Sequence, residues 1–344
     1  MDAVRKTVRQ RKQFEASHGS VKETISIEVN GTRFVGAGKS VYYSDTWRTF
    51  HDFLNGYMAA RLGKDWGDAQ VALPIEQQHP VVQWHTHLSV SQASQTRDSS
   101  GMLSLATGAA IAWLRLAYDL YLIDRNATLQ RKLIRRIREV TSFQGARFEA
   151  AVAAMMLTVG YELAFANEQG PGKHPEFFAT HRKTGAILAV EAKSRHRDGI
   201  MGHMPNVAPE PPTLCSIDRL LSAALQKECT EPLLVFIELN CPAYSDPSEG
   251  GALVEELQES WSRVQKRDWP NGFPGIGVVF YNDVAPWFLC DELRNDIGRN
   301  WVVVLWPEHC RYAFDVQPLL KELVVGCAQR SSVPMDFPRR NEAT

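Results

Sequence analysis

Lys173 to Arg195 reads KHPEFFATHRKTGAILAVEAKSR, two short apolar-rich runs separated by Arg182-Lys183-Thr184-Gly185. Runs rich in aromatic and β-branched residues on either side of a turn predict a β-hairpin. If the runs fold back around Lys183-Thr184, Glu176 stands directly opposite Glu191. Lys193, two residues beyond Glu191, then projects from the same face, because side chains alternate along a strand. Opposed side chains in an antiparallel pair have Cβ atoms about 4.5–5.5 Å apart, and like charges there destabilise the sheet. Two acids and a lysine on one patch therefore call for compensation, and a hard divalent cation between the carboxylates would supply it. The other reading is a solvated sheet face with Lys193 paired to either acid.

Working outward, GARFEAAVAAMMLTVG (145–160) reads as a helix over 145–159 whose one acid, Glu149, sits in a run otherwise fit for burial. A carboxylate there is costly unless exposed, paired or near a metal. If this helix packs on the sheet, Glu149 can face the hairpin acids. YELAFAN (161–167) is a strand preceding the hairpin, and GIMGHMPNVAPEPPT (199–213) is a Pro/Gly-rich loop following it. SIDRLLSAALQKE (216–228) is an amphipathic helix and LLVFIELN (233–240) a buried strand. Beyond them come a helix near 249–267, the strand GIGVVFYN (275–282), a short helix near 287–298, the strand WVVVLW (301–306) and a helix near 316–325. Such alternation predicts an α/β fold with helices on the faces of a mixed sheet.

The order helix (Glu149), strand, strand (Glu176), strand (Glu191, Lys193), helix, strand resembles the core of the PD-(D/E)xK nuclease superfamily, the restriction-endonuclease-like fold, over residues 142–240. The family's Pro-Asp followed by Asp/Glu-x-Lys stands here as Pro175-Glu176 and then Glu191-Ala192-Lys193. The resemblance implies a metal-dependent endonuclease or exonuclease that hydrolyses phosphodiester bonds. It implies Mg²⁺, with Mn²⁺ as a substitute, held by Glu176 and Glu191, with the carbonyl of Ala192 as a further ligand and Glu149 acting directly or through water. Lys193 is implied to orient the attacking water and to offset charge in the transition state. DNA is expected ahead of RNA because DNA enzymes dominate the family, and a role in defence or repair follows from the resemblance alone. One residue departs from the pattern: the usual Asp is Glu176, one methylene longer, so the ion would shift or the strand would sit back. That change also fits the alternative, a catalytically degenerate restriction-endonuclease-like module that binds nucleic acid or a protein partner.

Immediately before the Glu149 helix, ATLQRKLIRRIREV (127–140) reads as a helix. It carries Arg131, Lys132, Arg135, Arg136 and Arg138 against Glu139, with Leu129, Leu133, Ile134 and Ile137 as the buried stripe. Lys and Arg clustered on one helix form the local patch that phosphates need, although charge runs are also ordinary solvated faces. Lys173, His174, Arg195, His196 and Arg197 flank the hairpin as further phosphate contacts, which position a substrate without reading its sequence. Gln226 and Lys227, on the helix after the hairpin, are candidates for backbone contacts or for supporting the site.

The 344 residues carry 38 basic and 39 acidic side chains, so net charge discloses no polyanion partner and any such surface must be local. With 44% hydrophobic residues and nine tryptophans, the chain can bury a full core and is not of disordered type. The first 20 residues are a charged arm without the apolar centre of a secretory signal. All six cysteines lie between Cys215 and Cys327 without a C-x-x-C pair, so free thiols and a cytoplasmic location are expected. Met102–Ile123 is the nearest approach to a membrane span, but Arg115 and Asp119, four apart, make it a buried helix with an internal ion pair. No membrane partner is therefore expected.

TISIEVNGTRFVG (24–36) predicts a hairpin turning at Asn30-Gly31. TWRTFHDFLNGYMAARLG (46–63) predicts a helix capped by Asp45, and SVSQASQTRDSSG (89–101) an exposed loop. Helices are expected at 102–123 and 127–140. His85 and His87, read as strand neighbours, have no recognisable set of further metal ligands. GAGKS (36–40) lacks the first glycine of a phosphate-binding loop and follows a hairpin, so it reads as a turn. The expected organisation is a mostly helical region with a hairpin over 1–140, a nuclease-like α/β domain over 141–330 and a tail over 331–344. The first region would serve substrate selection, homodimer formation or docking of a partner protein.

Overall fold

The computed structural model describes residues 21–94, 107–166, 173–196, 214–241, 247–287, 300–312, 317–330 and 332–337. Ile25–Val29 (β1), Thr32–Ala37 (β2) and Ser40–Ser44 (β3) form an antiparallel sheet in that order. Asn30 and Gly31, with φ of 50° and 79°, supply the left-handed pair of a tight hairpin turn. Gly38-Lys39, with Gly38 at φ 57°, makes the next turn between the paired Ala37 and Ser40, so the predicted hairpin extends to three strands and GAGKS spans a strand-to-strand turn.

The helices that follow are Phe50–Leu62 (α1), Lys64–Val71 (α2), Pro80–Ser94 (α3), Gly108–Asn126 (α4), Arg131–Ile137 (α5) and Val140–Thr158 (α6). Three expectations are corrected here. Ser89 to Ser94, expected at the start of an exposed loop, are the last residues of α3, while 95–101 lie outside the described residues. Thr49, not Asp45, caps α1: its hydroxyl accepts from the Asp52 N–H while the Asp52 carboxylate accepts from the Thr49 N–H. His85 and His87 lie on helix α3, where residues two apart do not share a face, so the strand reading fails.

The larger sheet has six strands in sequence order: Tyr161–Phe165 (β4), Phe177–His181 (β5), Ile187–Ser194 (β6), Leu233–Glu238 (β7), Gly275–Asp283 (β8) and Asn300–Leu305 (β9). β4, β5 and β6 pair antiparallel, β6, β7 and β8 parallel, and β8 and β9 antiparallel. Helices Leu214–Leu225 (α7) and Pro247–Gln265 (α8) make the two parallel crossovers, and Gln317–Gln329 (α9) follows β9. The chain is thus an α/β protein with a mixed sheet and a smaller antiparallel sheet. Every residue of β7 and β8 is buried, as interior parallel strands covered on both faces require.

On one face Leu188, Val190 and Leu234 pack with Phe148 of α6, Leu116 of α4 and Leu320 of α9. On the other, Ala189, Val235 and Val278 pack with Leu221 of α7 and Leu257 and Trp261 of α8. The first cluster runs without a break from Val21 to Phe337, so α1, α3 and α4 share their core with the sheet. Part of the 331–344 tail lies along α1: the Phe50 N–H donates to the Met335 carbonyl at 2.7 Å, and Phe337 meets Phe50 edge to face. The 199–213 loop and most of the 287–298 helix lie outside the described residues. Among the described cysteines, Cys229, Cys310 and Cys327 are free thiols. No helix among the described residues is long and apolar enough to cross a membrane.

A buried ionic network fastens α4 and α6 to the ends of β7 and β8. Arg115 donates to Asp283 at 2.7 Å and to Asn300 at 3.2 Å, and Arg330 donates to Asp119 at 2.7 Å. The internal Arg115–Asp119 pair expected from their spacing is therefore replaced by partners 168 and 211 residues away. Arg147 donates to Glu238, whose second oxygen accepts from the Ser194 hydroxyl at 2.7 Å. Burial alone would raise the Asp283 carboxyl, but Arg115, Arg330 and Arg147 outweigh it and hold its pKa at about 2.

Candidate active site

The β5–β6 register is the one read from the sequence, with Phe177 opposite Val190 and Thr180 opposite Ile187. Gly185, at φ 72°, closes the turn by donating its N–H to the His181 carbonyl at 2.8 Å. Glu176 immediately precedes β5, and its N–H donates to the Val190 carbonyl at 3.0 Å. Val190 and Ala192 belong to the core cluster on the α6 side, whereas Ala189 packs toward α7 and α8. Alternation gives Glu191 and Lys193 the facing of Ala189.

The Lys193 amine lies 2.5 Å from Glu191 Oε1 and 3.9 Å from Glu176 Oε1, so one ammonium is shared by both hairpin carboxylates. A second ammonium comes from the segment after α7: Lys227 Nζ is 3.0 Å from the same Glu191 oxygen. It also donates to the His174 carbonyl at 2.7 Å. Two further bonds clip this segment to the start of β5, from the Glu228 N–H to the Lys173 carbonyl and from Lys173 Nζ to Gln226 Oε1, both at 2.8 Å.

Glu191 is fully buried, and neither of its oxygens receives a hydrogen bond of good geometry despite the two nearby ammoniums. Burial raises its pKa, Lys193 lowers it, Glu176 raises it and Lys227 lowers it. Glu149 joins from α6, which packs on β6. Burial and the negative charge of Glu176 push its carboxyl up to about 7, against the pull of Arg136. Arg136 of α5 donates to it at 2.5 Å, so the basic helix is tied directly to the site.

Lys193 thus contacts Glu176 and Glu191, whose charges both act on Glu149, while Lys227 and Arg136, read in the sequence as a supporting contact and a basic-helix residue, contact Glu191 and Glu149. Lys227 had only a weak signal, a cation just past a helix that follows the hairpin. Arg136 read as one member of a solvated basic run. Of the remaining basic candidates, Arg131, Arg135 and Arg138 are exposed on and beside α5 and Lys132 is half-buried. Arg138 lies over the Trp66 ring at 4–6 Å range, 5.3 Å from its centroid. Arg195 reaches the Leu239 carbonyl at 3.4 Å, and Arg197 lies outside the described residues.

Among the described residues no three His, Cys, Asp or Glu side chains stand as a ready metal cage. The donor set open to a hard cation is Glu191 Oε2, the Glu176 carboxylate that shares Lys193 with Glu191, and a backbone carbonyl, while Glu191 Oε1 stands against two ammoniums. The N–H groups of Ala189 and Arg195 donate toward β7, so the carbonyls of Val190 and Ala192 point toward β5. Val190 is used by Glu176, and Ala192 lies beyond the last β5 pair. Comparison of the chain with family models, with curated proteins and with solved structures finds no match.

Proposed function

We propose that the open end of the β5–β6 hairpin is the centre of a divalent-metal-dependent phosphodiesterase, a nuclease acting on DNA ahead of RNA, built on a restriction-endonuclease-like core. The element order α6, β4, β5, β6, α7, β7 and the placement of Glu149, Glu176, Glu191 and Lys193 on it support this reading. The observation that carries it is Glu191, a fully buried carboxylate whose Oε1 stands against two ammoniums and whose Oε2 has no hydrogen-bond partner among the described residues. Such a group is expensive in a protein interior unless a cation or proton completes it.

In this reading Glu176, Glu191 and the Ala192 carbonyl hold Mg²⁺ or Mn²⁺, with Glu149 contributing directly or through water. The bound ion would supply a Lewis acid for the phosphoryl oxygen and a more acidic water. Lys193, on the strand beside Glu191, orients the attacking water and offsets the charge that gathers on the phosphoryl oxygens. Arg136 holds Glu149, which leaves Arg131, Lys132, Arg135 and Arg138 with Lys173, Arg195 and Arg197 to grip neighbouring phosphates.

A second reading, a catalytically degenerate module of the same fold that binds nucleic acid or a protein partner, draws on two observations. Glu176 replaces the family's aspartate, and ammonium groups already flank Glu191. Incubation with supercoiled, linear and single-stranded DNA and with RNA, in Mg²⁺, Mn²⁺ or EDTA, separates the two. The nuclease is expected to cleave at least one substrate only with metal, and to lose cleavage in Glu191→Ala and Lys193→Ala. Binding without cleavage of any substrate, unchanged by both substitutions, would leave the degenerate module.

A further inference from the structure

Three acids and three bases meet at this site: Glu149, Glu176 and Glu191 against Arg136, Lys193 and Lys227. Lys193 sits on the hairpin itself, and Arg136 is engaged with Glu149. Lys227 has no obvious task in orienting water, and it is the most firmly tethered of the three. Its amine is bonded to the His174 carbonyl, while Gln226 and Glu228 on either side are bonded to Lys173. These bonds hold an ammonium against Glu191 Oε1 rather than letting it swing into solvent.

We propose that Lys227 stands where a second divalent cation would otherwise be needed, so that the site takes a single metal ion. This rests on the metal-site reading above and goes further, to the number of ions. Two-metal phosphodiesterase centres place their cations about 3.5–4 Å apart around shared carboxylates. Here the carboxylate on β6 already shares one oxygen with two ammoniums, and Oε2 is the oxygen left for a metal bond. With the three acids already matched by three bases, one dication leaves a surplus of two positive charges at the site and a second would double it, where repulsion is only weakly screened. Lys227 also bridges Glu191 to the backbone just before Glu176, so the same ammonium that limits the charge sets the spacing of the two carboxylates.

The test is Mn²⁺ titration of the metal-depleted full chain by calorimetry, with electron paramagnetic resonance counting the free ion. Wild type is expected to bind one ion, and Glu191→Gln none. Lys227→Met, checked for its fold by circular dichroism, is expected either to bind a second ion or to hold the first about tenfold more tightly, because one opposing charge is gone. Lys227→Arg, which keeps the charge, is expected to bind one ion with near wild-type affinity. Two ions in wild type, a count that needs no variant, would overturn the inference and leave the nuclease reading standing. So would a folded Lys227→Met that matches wild type in number and affinity or binds more weakly. No ion in wild type, or the same ion in Glu191→Gln, would remove the metal site and the inference together.

Discussion

At the ends of β7 and β8, Asp119, Glu238 and Asp283 meet Arg115, Arg147 and Arg330; at the open end of the β5–β6 hairpin, Glu149, Glu176 and Glu191 meet Arg136, Lys193 and Lys227. The charge count is the same and the chemistry is not. In the first group all six carboxylate oxygens accept hydrogen bonds from guanidiniums, a hydroxyl or a backbone N–H. Planar guanidinium forks suit such closed networks, whereas lysine is a compact point charge on a flexible stem. In the second group, Glu191 has ammoniums beside it and no well-formed hydrogen bond. Lys193 and Lys227 keep 27% and 16% of their side-chain surface exposed, while the first group is at most 4% exposed. The closed network fixes the fold. The open one leaves Glu191 Oε2 without a hydrogen-bond partner among the described residues.

The sharpest way to break this contrast is to remove one charge from each group. Asp283→Asn leaves three buried guanidiniums short of a partner and is expected to lose about 3–5 kcal/mol in denaturant unfolding. Glu191→Gln removes a buried charge without good hydrogen bonds; Lys193, 27% exposed, can turn to solvent, and Lys227 keeps its bond to the His174 carbonyl. The substitution is expected to keep or raise the wild-type melting temperature. Equal destabilisation by both substitutions would erase the distinction between the groups.

Metal supplies the next largest effect. At a concentration about a hundredfold above its dissociation constant, Mn²⁺ is expected to stabilise wild type by about 2.7 kcal/mol and Glu191→Gln not at all. An equal rise in the melting temperatures of both proteins would place any bound ion elsewhere.

In EDTA the two groups also respond to pH with opposite sign. Asp283 is held at about 2, below its ordinary value, so its contribution is present above about pH 4 and lost as pH falls toward 2. Glu149 is raised to about 7, so its contribution is present below about pH 4.5 and lost as pH rises through 7. Glu149→Gln is therefore expected to gain stability relative to wild type between pH 5 and 8, by on the order of 1–3 kcal/mol. A constant difference across that range would contradict the raised carboxyl.

The smallest effect belongs to the exposed basic helix. Arg135→Ala is expected to change stability by less than about 0.5 kcal/mol. It should lower the slope of log affinity for DNA against log salt by about one, the signature of a single phosphate contact. An unchanged slope would make Arg135 part of an ordinary solvated face.

How much of this was legible in the sequence follows from the range of each interaction. The β5–β6 register was, because a turn at Lys183-Thr184 and alternating runs fix it locally. So was the succession of helices and strands after Gly160 among the described residues, which leave out the short helix near 287–298, because period and turn residues agree there. The start of Pro80–Ser94 was misread because Val82, Trp84 and Leu88 alternate with Gln83, His85 and His87, while burial of Val81, Trp84 and Leu88 at helical spacing decides for a helix. Arg115 and Asp119 sit at helical pairing distance in sequence, yet their partners arrive from β8 and from beyond α9, which no local pattern discloses. In the site, two acids and a lysine were readable from the hairpin alone. Lys227 and Arg136 were singled out in the sequence as a supporting contact and a basic-helix residue, but their pairing with Glu191 and Glu149 was not legible, because it depends on which segments the folded sheet brings to its open end.

The most direct measurement is metal-dependent cleavage of plasmid DNA by wild type and Glu191→Gln, with melting temperatures taken on the same preparations. Expected is a fall in cleavage rate of at least about a hundredfold in a protein that melts no lower than wild type. Cleavage undiminished in a folded Glu191→Gln, or cleavage by wild type that survives EDTA, would contradict the assignment of this carboxylate to a metal-dependent active site.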